Sequence, residues 1–385
     1  MEKMQNYKVA DGMKPVMVMV LVQILFAGMN ILYKLVAEDG MNFTILIAYR
    51  MMFAAAFMLP LALGFERDSR TKLTWMVLFQ AFLCGLFGGS LSQNLYIESI
   101  ALTSATYAVA MYNLVPAITF ILAIFFRMEK LAIDTNAGKA KVVGTVMGIG
   151  GAMLFTFYKG IEINIWSTHF DLHSQPNSHE ASISHKSSGS LLLGSMVSLG
   201  SCVSYAIWLI IQGKLNKRFP YPYSTTALMS LMGSIQSVVF ALCVERDWNQ
   251  WKLGWDIRLL ALSYSGVLNS GLAVTLIAWV VKKGGPLLVA VFQPLLLVMV
   301  ALAGSLLLDE KLHLGSILGG LMIVSGLYEV LWGKSKELLQ MTQLESQTSL
   351  KYESNSQRIL VVTSVGEDVN SEKEMVESRK EDVKP

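Results

Sequence analysis

The chain repeats itself after 181 residues, and the repeat lies within its most hydrophobic part. The segment from Gly85 to Leu131 aligns without a gap with the segment from Gly266 to Leu312. Few residues are identical beyond the opening glycines and the closing Glu-Lys-Leu triplets, so the shared hydropathy pattern supplies much of the match. An internal repeat of this kind predicts a fold built from two similar halves.

Ten apolar runs lie along residues 15–332, each close to the ~20 residues that cross ~30 Å of hydrocarbon as a helix. Numbered as spans one to ten, they are 15–36, 43–64, 74–97, 103–126, 142–158, 190–212, 224–244, 258–281, 286–308 and 314–332. Backbone groups in lipid must be hydrogen-bonded internally, so these runs are predicted to be helices. The ten runs therefore predict an all-α membrane protein of ten transmembrane helices. Each repeat has five spans, and because five is odd, the two five-helix repeats are predicted to be inverted relative to each other.

Composition and charge agree with a membrane protein and predict its orientation. Only 15% of the 385 residues are charged, which is too few to cover a soluble protein of this length. With a cytoplasmic N-terminus, the inner connectors and the parts of the termini next to the membrane, counted up to Lys336, hold 17 Lys and Arg residues, and the outer connectors hold 6. This bias predicts that both termini are cytoplasmic.

The chain is predicted to have five segments. They are a cytoplasmic N-terminus (1–14), a first five-helix repeat (15–158), a polar outside loop (159–189), a second five-helix repeat (190–332) and a disordered cytoplasmic tail (333–385). The tail is charged, rich in Ser and Glu, and poor in aromatic residues, as in disordered segments. The outside loop carries four histidines, which would suit a metal or pH sensor, but their irregular spacing around Pro176 favours a solvated linker.

Enzyme signatures are missing from the sequence, which has no HExxH, no GxSxG and no complete phosphate-binding loop. We therefore predict no catalytic residues, no metal site, no cofactor and no nucleic-acid partner. The predicted partners are a small-molecule substrate and membrane lipid. Pairs of glycines four residues apart, at Gly144 and Gly148 and at Gly315 and Gly319, predict close helix packing, either within the chain or in a homodimer.

Arg50 is an ionisable residue about two turns into span two, counted from the outer side. A charge at this depth is costly and usually faces a cavity or a partner. Its guanidinium could bind the carboxylate of a substrate. The favoured alternative is a structural ion pair with Glu98, which lies near the outer end of span three.

Asn113 and Gln293 are amides at membrane depth that precede prolines in corresponding spans, Asn113 before Pro116 in span four and Gln293 before Pro294 in span nine. A proline removes one backbone hydrogen bond and can kink a helix. Paired interruptions in two inverted halves are the best sequence pointer to a transporter's binding site. These four residues and Arg50 are the predicted substrate-binding residues. The alternative role for the amides is hydrogen bonding between helices.

Three segments resemble the plant members of the drug/metabolite transporter superfamily, the EamA-type, nodulin-21-like group that includes the UMAMIT amino-acid facilitators. They are AYRMMFAAAFMLPLAL in span two, NLVPAITFILAIFFRMEKL in span four and GSILGGLMIVSGLYEVLWGKSKE at the end of span ten. The resemblance covers roughly residues 14–337 and implies ten spans, two EamA repeats and movement of small organic solutes. Members resemble exporters or bidirectional facilitators of amino acids, and some handle auxin or other metabolites.

Together these observations predict a secondary transporter that moves small organic solutes, amino acids first among them, by alternating access. One alternative within this class is a transporter of auxin or another metabolite. An alternative from another class is a membrane receptor or scaffold. A membrane-embedded enzyme would need clustered His, Asp or Cys residues at membrane depth, and the sequence has no such cluster.

Overall fold

The computed structural model describes residues 2–38, 41–66, 73–103, 105–129, 134–158, 160–163, 188–248, 250–307 and 312–337. The four loop histidines and residues 338–385 of the predicted disordered tail lie outside these residues, whereas residues 333–337 of that tail are helical. The chain divides into two units, Met1–Leu331 and Trp332–Pro385. In the second unit the structure describes residues 332–337, where the Lys336 ammonium lies 4.1 Å from the centroid of the Trp332 ring.

The first half consists of helices, as predicted, but spans three and four are interrupted. Spans one and two are Glu2–Glu38 and Phe43–Phe65. Span three contains the α-helix Trp75–Cys84, the π-helix Gly85–Leu91 and the α-helix Ser92–Leu102. Span four contains Ala105–Tyr112 and Val115–Phe125, and span five is Asn136–Phe157.

The second half repeats this design with interruptions in spans eight and nine. Spans six and seven are Ser188–Arg218 and Pro222–Val244. Span eight contains Ile257–Ser263, the π-helix Tyr264–Ala273 and the first part of Val274–Val291. Span nine contains the rest of that segment and Gln293–Leu307, and span ten is Leu314–Glu337. Two short strands, Glu162–Ile163 and Leu312–His313, pair antiparallel.

Within the described residues, nine helical segments are long and apolar enough to cross a membrane, one fewer than the ten predicted. The difference arises at Gly285, where span eight runs into span nine. Gly285 has φ 79° and ψ 170°, a left-handed conformation that glycine tolerates and that breaks the helix between Val274 and Val291. The second part of span nine, Gln293–Ser305, is apolar but shorter than a full span. The predicted all-α architecture is confirmed.

Polar side chains define where several helices begin. The side chain of Asn42 accepts a hydrogen bond from the Thr44 amide at the start of span two. Thr74, Thr135 and Asp256 cap spans three, five and eight in the same way. Such side chains satisfy backbone N–H groups that have no partner in the first turn of a helix.

The two π-helical segments occupy matching positions in the repeat. Moved by 181 residues, Gly85–Leu91 falls entirely within Tyr264–Ala273. The aligned glycines, Gly85 and Gly266, lie in these two segments. A side chain on Gly85 would collide with the backbone of span seven at Gly233, and one on Gly266 would collide with the backbone of span two at Arg50. Each π-segment therefore packs directly against a helix of the opposite half.

Helix contacts follow the same two-fold pattern. Span two packs along span seven, which is its own counterpart in the other half. Span six contacts spans three and four, and span one correspondingly contacts spans eight and nine. This arrangement is expected when two five-helix units of the same fold face each other in opposite orientations.

Spans five and ten pack closely through glycines, which agrees with the predicted packing role of small residues. A side chain on Gly144 would meet the carbonyl oxygen of Gly326, and one on Gly151 would meet that of Gly319. At Gly148, by contrast, an added Cβ would meet nothing within 4 Å. The glycine surface is thus used within the chain, between its two halves.

Hydrogen bonds join spans two and seven at both ends. At the predicted outer face, the Asn42 amide nitrogen donates to a Glu245 carboxylate oxygen over 2.8 Å. At the predicted cytoplasmic face, Glu66 accepts from the backbone amides of Tyr223 and Ser224 over 3.3 and 2.7 Å. These bonds tie the central helix pair of the two halves together.

The largest cluster of buried apolar side chains among the described residues extends from the predicted cytoplasmic side to about the membrane centre. It includes Met19 and Val22 early in span one, Leu215 late in span six, and Val281 and Leu288 on either side of Gly285. These positions all lie toward one end of their helices. The helices are therefore tightly packed on the predicted cytoplasmic side of the membrane centre.

Candidate functional site

A cavity of about 470 Å³ lies between the two halves, and spans one to nine all contribute to its wall. Gly88 and Asn269, one from each π-segment, line this cavity. Asn113 and Gln293, at the interruptions of spans four and nine, line it as well. The wall is mostly apolar, with a few convergent polar groups, as is typical of small-molecule sites. None of its described lining residues is acidic.

Arg50 supplies a positive charge to this wall and is buried, with 6% of its surface exposed. Its Nη1 atom lies 3.5 Å from the Tyr33 hydroxyl and 3.9 Å from the Met29 sulfur, while Nε has no hydrogen-bond partner. Over the described residues, the guanidinium has no carboxylate within ion-pair distance.

The predicted ion pair between Arg50 and Glu98 is wrong. Glu98 is exposed, although it lies on span three at a depth near that of Arg50. Equal depth along two helices does not bring side chains together when one of them faces away. The cavity, rather than an acidic neighbour, is the environment of the Arg50 charge.

Asn269 is a neighbour of Arg50 in the cavity wall, as their shared contact with Met29 shows. Its amide nitrogen donates to the same sulfur atom that Arg50 approaches, and its oxygen is buried without a hydrogen-bond partner. Asn269 belongs to the π-segment of span eight, where one additional residue per turn changes which side chains face the cavity. Sequence reasoning missed Asn269, although the aligned Gly266 three residues earlier marked the segment.

Asn113 and Gln293, predicted to line one pathway from opposite halves, both lie on the cavity wall. Asn113 follows the first part of span four, and its amide nitrogen donates to the Val109 carbonyl oxygen over 3.0 Å. Gln293 begins the second part of span nine, and its amide nitrogen donates to the Tyr205 hydroxyl over 2.5 Å. The geometry thus brings both amides to the same cavity.

The predicted prolines have a different position. Pro116 and Pro294 are not among the described residues that line the cavity. Each lies at the start of a second helical part, Pro116 in Val115–Phe125 and Pro294 in Gln293–Leu307. Proline suits the first turn of a helix, where its missing N–H group has no partner to lose.

An aromatic wall, defined as Tyr96, Tyr112, Tyr205 and Trp208, forms another part of the cavity. Successive ring centroids are 5.2, 5.8 and 5.0 Å apart, in tilted or edge-on orientations that favour ring contacts. The Trp208 indole nitrogen is buried without a hydrogen-bond partner. Sequence reasoning missed these residues, because single aromatic residues in apolar helices give no periodic signal.

The site contains no recognisable metal centre in the part of the chain that the structure describes, where no three His, Cys, Asp or Glu residues come together. Its chemistry is therefore that of one guanidinium, several amides, hydroxyls and aromatic rings. Such a set can bind an organic molecule with an anionic group and an apolar body.

Comparison with known proteins agrees with this architecture. The EamA-like transporter family profile matches residues 13–157 and again residues 192–332. The WAT1-related protein At1g25270 of Arabidopsis thaliana is 49% identical over 325 residues, covering 84% of this chain and 91% of that protein. The WAT1-related protein At1g68170 of the same plant is 46% identical, covering 86% of this chain and 92% of its own length. A solved crystal structure shares the fold with a TM-score of 0.63 at 15% identity, covering 82% of this chain and 97% of that one.

Proposed function

The chain belongs to the EamA-like transporter family and is therefore a multi-pass membrane transporter of the drug/metabolite superfamily; we propose that it carries small organic carboxylates, amino acids first among them. The finer placement in the nodulin-21-like, UMAMIT group is part of this proposal. Transport is by alternating access, without ATP hydrolysis by this chain. Both termini lie in the cytoplasm, and the membrane is the plasma membrane or the vacuolar membrane.

The observation that carries the proposal is the Arg50 guanidinium in the cavity wall without a carboxylate partner among the described residues. A buried charge without a counter-charge costs several kcal/mol. Binding of a substrate carboxylate would offset this cost, and the planar fork of arginine matches two carboxylate oxygens. Asn113 and Gln293 contribute polar contacts to the same ligand from the two halves.

Packing around the cavity supports alternating access. The buried apolar cluster extends from the predicted cytoplasmic side to about the membrane centre, whereas the cavity reaches Phe155 at the end of span five and Ala301 late in span nine. Both of these positions lie toward the predicted outer face. We assign this arrangement to an outward-facing state. The interrupted helices of both halves supply places where the packing can change.

Auxin or another aromatic carboxylate is the second candidate substrate, and the aromatic wall favours it. Rings with centroids 5.0 to 5.8 Å apart offer faces and edges to a flat ligand. The same wall also suits the side chains of apolar amino acids. A receptor or scaffold is the candidate from another class, and it would bind such ligands without moving them.

The test is flux of labelled solutes into liposomes that contain the purified full-length chain. We expect saturable, ATP-independent flux of amino acids and none in protein-free liposomes. Flux of indole-3-acetate without flux of any of the twenty common amino acids would replace the proposed substrate with the alternative. Binding without flux of either class would favour a receptor and contradict the transporter proposal.

A further inference from the structure

Five amide side chains line the cavity, and four of them use the side-chain nitrogen for a hydrogen bond within the protein. Asn30 donates to the Phe26 carbonyl oxygen over 2.8 Å, and Asn113 donates to the Val109 carbonyl oxygen over 3.0 Å. Asn269 donates to the Met29 sulfur, and Gln293 donates to the Tyr205 hydroxyl. The four residues come from spans one, four, eight and nine.

These partners determine which end of the amide remains available. A backbone carbonyl oxygen or a thioether sulfur can only accept a hydrogen bond. The nitrogens of Asn30, Asn113 and Asn269 must therefore face those atoms, and their oxygens face elsewhere. The Asn269 oxygen is buried in a residue that is 2% exposed and has no donor partner among the described residues.

Acceptors of this kind suit an ammonium group, which carries three donors and no acceptor. The Asn269 side chain also lies close to the positively charged Arg50, because the Met29 sulfur contacts both side chains. An α-amino acid carries its carboxylate and its ammonium group on the same carbon atom. The Arg50 guanidinium complements the carboxylate, and the neighbouring Asn269 amide oxygen complements the ammonium group.

We propose that the amide oxygens of Asn269, Asn30 and Asn113 form an ammonium subsite beside Arg50 and thereby select α-amino acids over carboxylic acids that lack the amino group. This inference rests on the proposed transport of carboxylates and adds the residues that determine specificity. Neutral oxygens stabilise the ammonium group without a buried acidic side chain, in agreement with a wall whose described residues include no Asp or Glu.

The experiment compares matched solutes in liposomes that contain the purified full-length chain. Each of the twenty L-amino acids is paired with its α-deaminated acid, for example L-phenylalanine with 3-phenylpropionate. For the best-transported amino acid, wild type should show an apparent affinity about tenfold or more above that for the deaminated acid, because hydrogen bonds to a charged group are lost. Asn269→Leu should reduce the ratio of these two affinities to about one, because the variant should weaken binding of the amino acid and leave binding of the deaminated acid unchanged.

Asn94→Leu is the matched control. Asn94 also donates to a carbonyl oxygen four residues earlier, that of Ser90, and its own oxygen is also buried without a partner. However, it is not among the described lining residues of the cavity. This variant should keep the wild-type preference for the amino acid. If Asn269→Leu yields no folded protein, Asn30→Leu replaces it with the same expected loss of preference.

The outcomes separate the subsite from the transport proposal. Transport of deaminated acids at affinities equal to those of the amino acids in wild type would overturn the subsite and leave carboxylate transport standing. Equal affinities that also require sodium ions would assign the oxygens to a metal cation and overturn the subsite as well. Transport of neither class would overturn the proposed function itself.

Discussion

Gly266 lies directly against the backbone of Arg50, because a Cβ atom on Gly266 would come within 2.9 Å of the Arg50 carbonyl oxygen. The π-segment of span eight and the cationic residue of span two are thus in direct backbone contact. The corresponding contact in the other half places Gly85 against Met229 and Gly233 of span seven. The pseudo-two-fold design therefore holds Arg50 at one of the closest approaches between the halves.

Gly266→Ala should lower the thermal stability of the purified protein and reduce transport. The added methyl group would collide with Phe53 and the backbone of span two, and overpacking of this kind costs about 1–3 kcal/mol. Gly148→Ala is the control, since an added Cβ there meets nothing within 4 Å. The measurement is thermal unfolding in detergent. Equal unfolding temperatures for the two variants would contradict the close contact.

Arg50→Met should retain thermal stability while the apparent affinity for carboxylate substrates falls about tenfold or more. The substitution removes a buried charge that has no carboxylate partner among the described residues, so no acidic group loses its counter-charge. Affinity is measured as competition for labelled substrate uptake in liposomes. Normal stability with unchanged affinity would remove Arg50 from the binding site.

Lys141→Met provides the contrast to Arg50→Met. The Lys141 ammonium lies 3.5 Å from a Glu129 carboxylate oxygen, and both side chains are almost fully buried. Loss of one member of a buried ion pair costs about 3–5 kcal/mol, so this variant should unfold at a lower temperature than wild type. A larger loss of stability in Arg50→Met than in Lys141→Met would indicate a structural role for Arg50.

Asn113→Leu and Gln293→Leu should each weaken transport while leaving membrane insertion intact. Leucine removes the polar atoms from the cavity wall and raises the hydrophobicity of the span. The measurement is flux per molecule of correctly inserted protein. Tyr205→Phe, which removes the hydroxyl partner of Gln293, should cause a smaller loss than Gln293→Leu. Wild-type flux and affinity in both leucine variants would leave these amides with a role in helix packing.

Tags inserted near residue 175 and after residue 340 should report opposite sides of the membrane. The 17-to-6 bias of basic residues predicts a cytoplasmic tail and a histidine-bearing loop on the outer side. Accessibility to a membrane-impermeant reagent in intact cells, before and after permeabilisation, measures this directly. Reports from the same side would rule out the ten-span topology.

Some features of the site were predictable from single positions, and others were not. The alignment of Gly85 with Gly266 marked the two segments that the structure shows as π-helices. Paired amide and proline positions led to Asn113 and Gln293, which the structure places on one cavity. The predicted partner of Arg50 was wrong because depth in the membrane was the only criterion that linked it to Glu98.

The sequence by itself determined the number of halves, the approximate spans and their helical character. These follow from hydrophobic length and from internal hydrogen bonding in lipid, which are properties of position along one chain. Only the tertiary structure decided which side chains meet, such as Arg50 and Asn269 at the Met29 sulfur. Successive residues rotate by about 100° around a helix, and each additional residue in a π-turn rotates all later side chains by a similar angle. The direction in which a buried side chain points therefore depends on tertiary packing, which cannot be inferred from hydropathy.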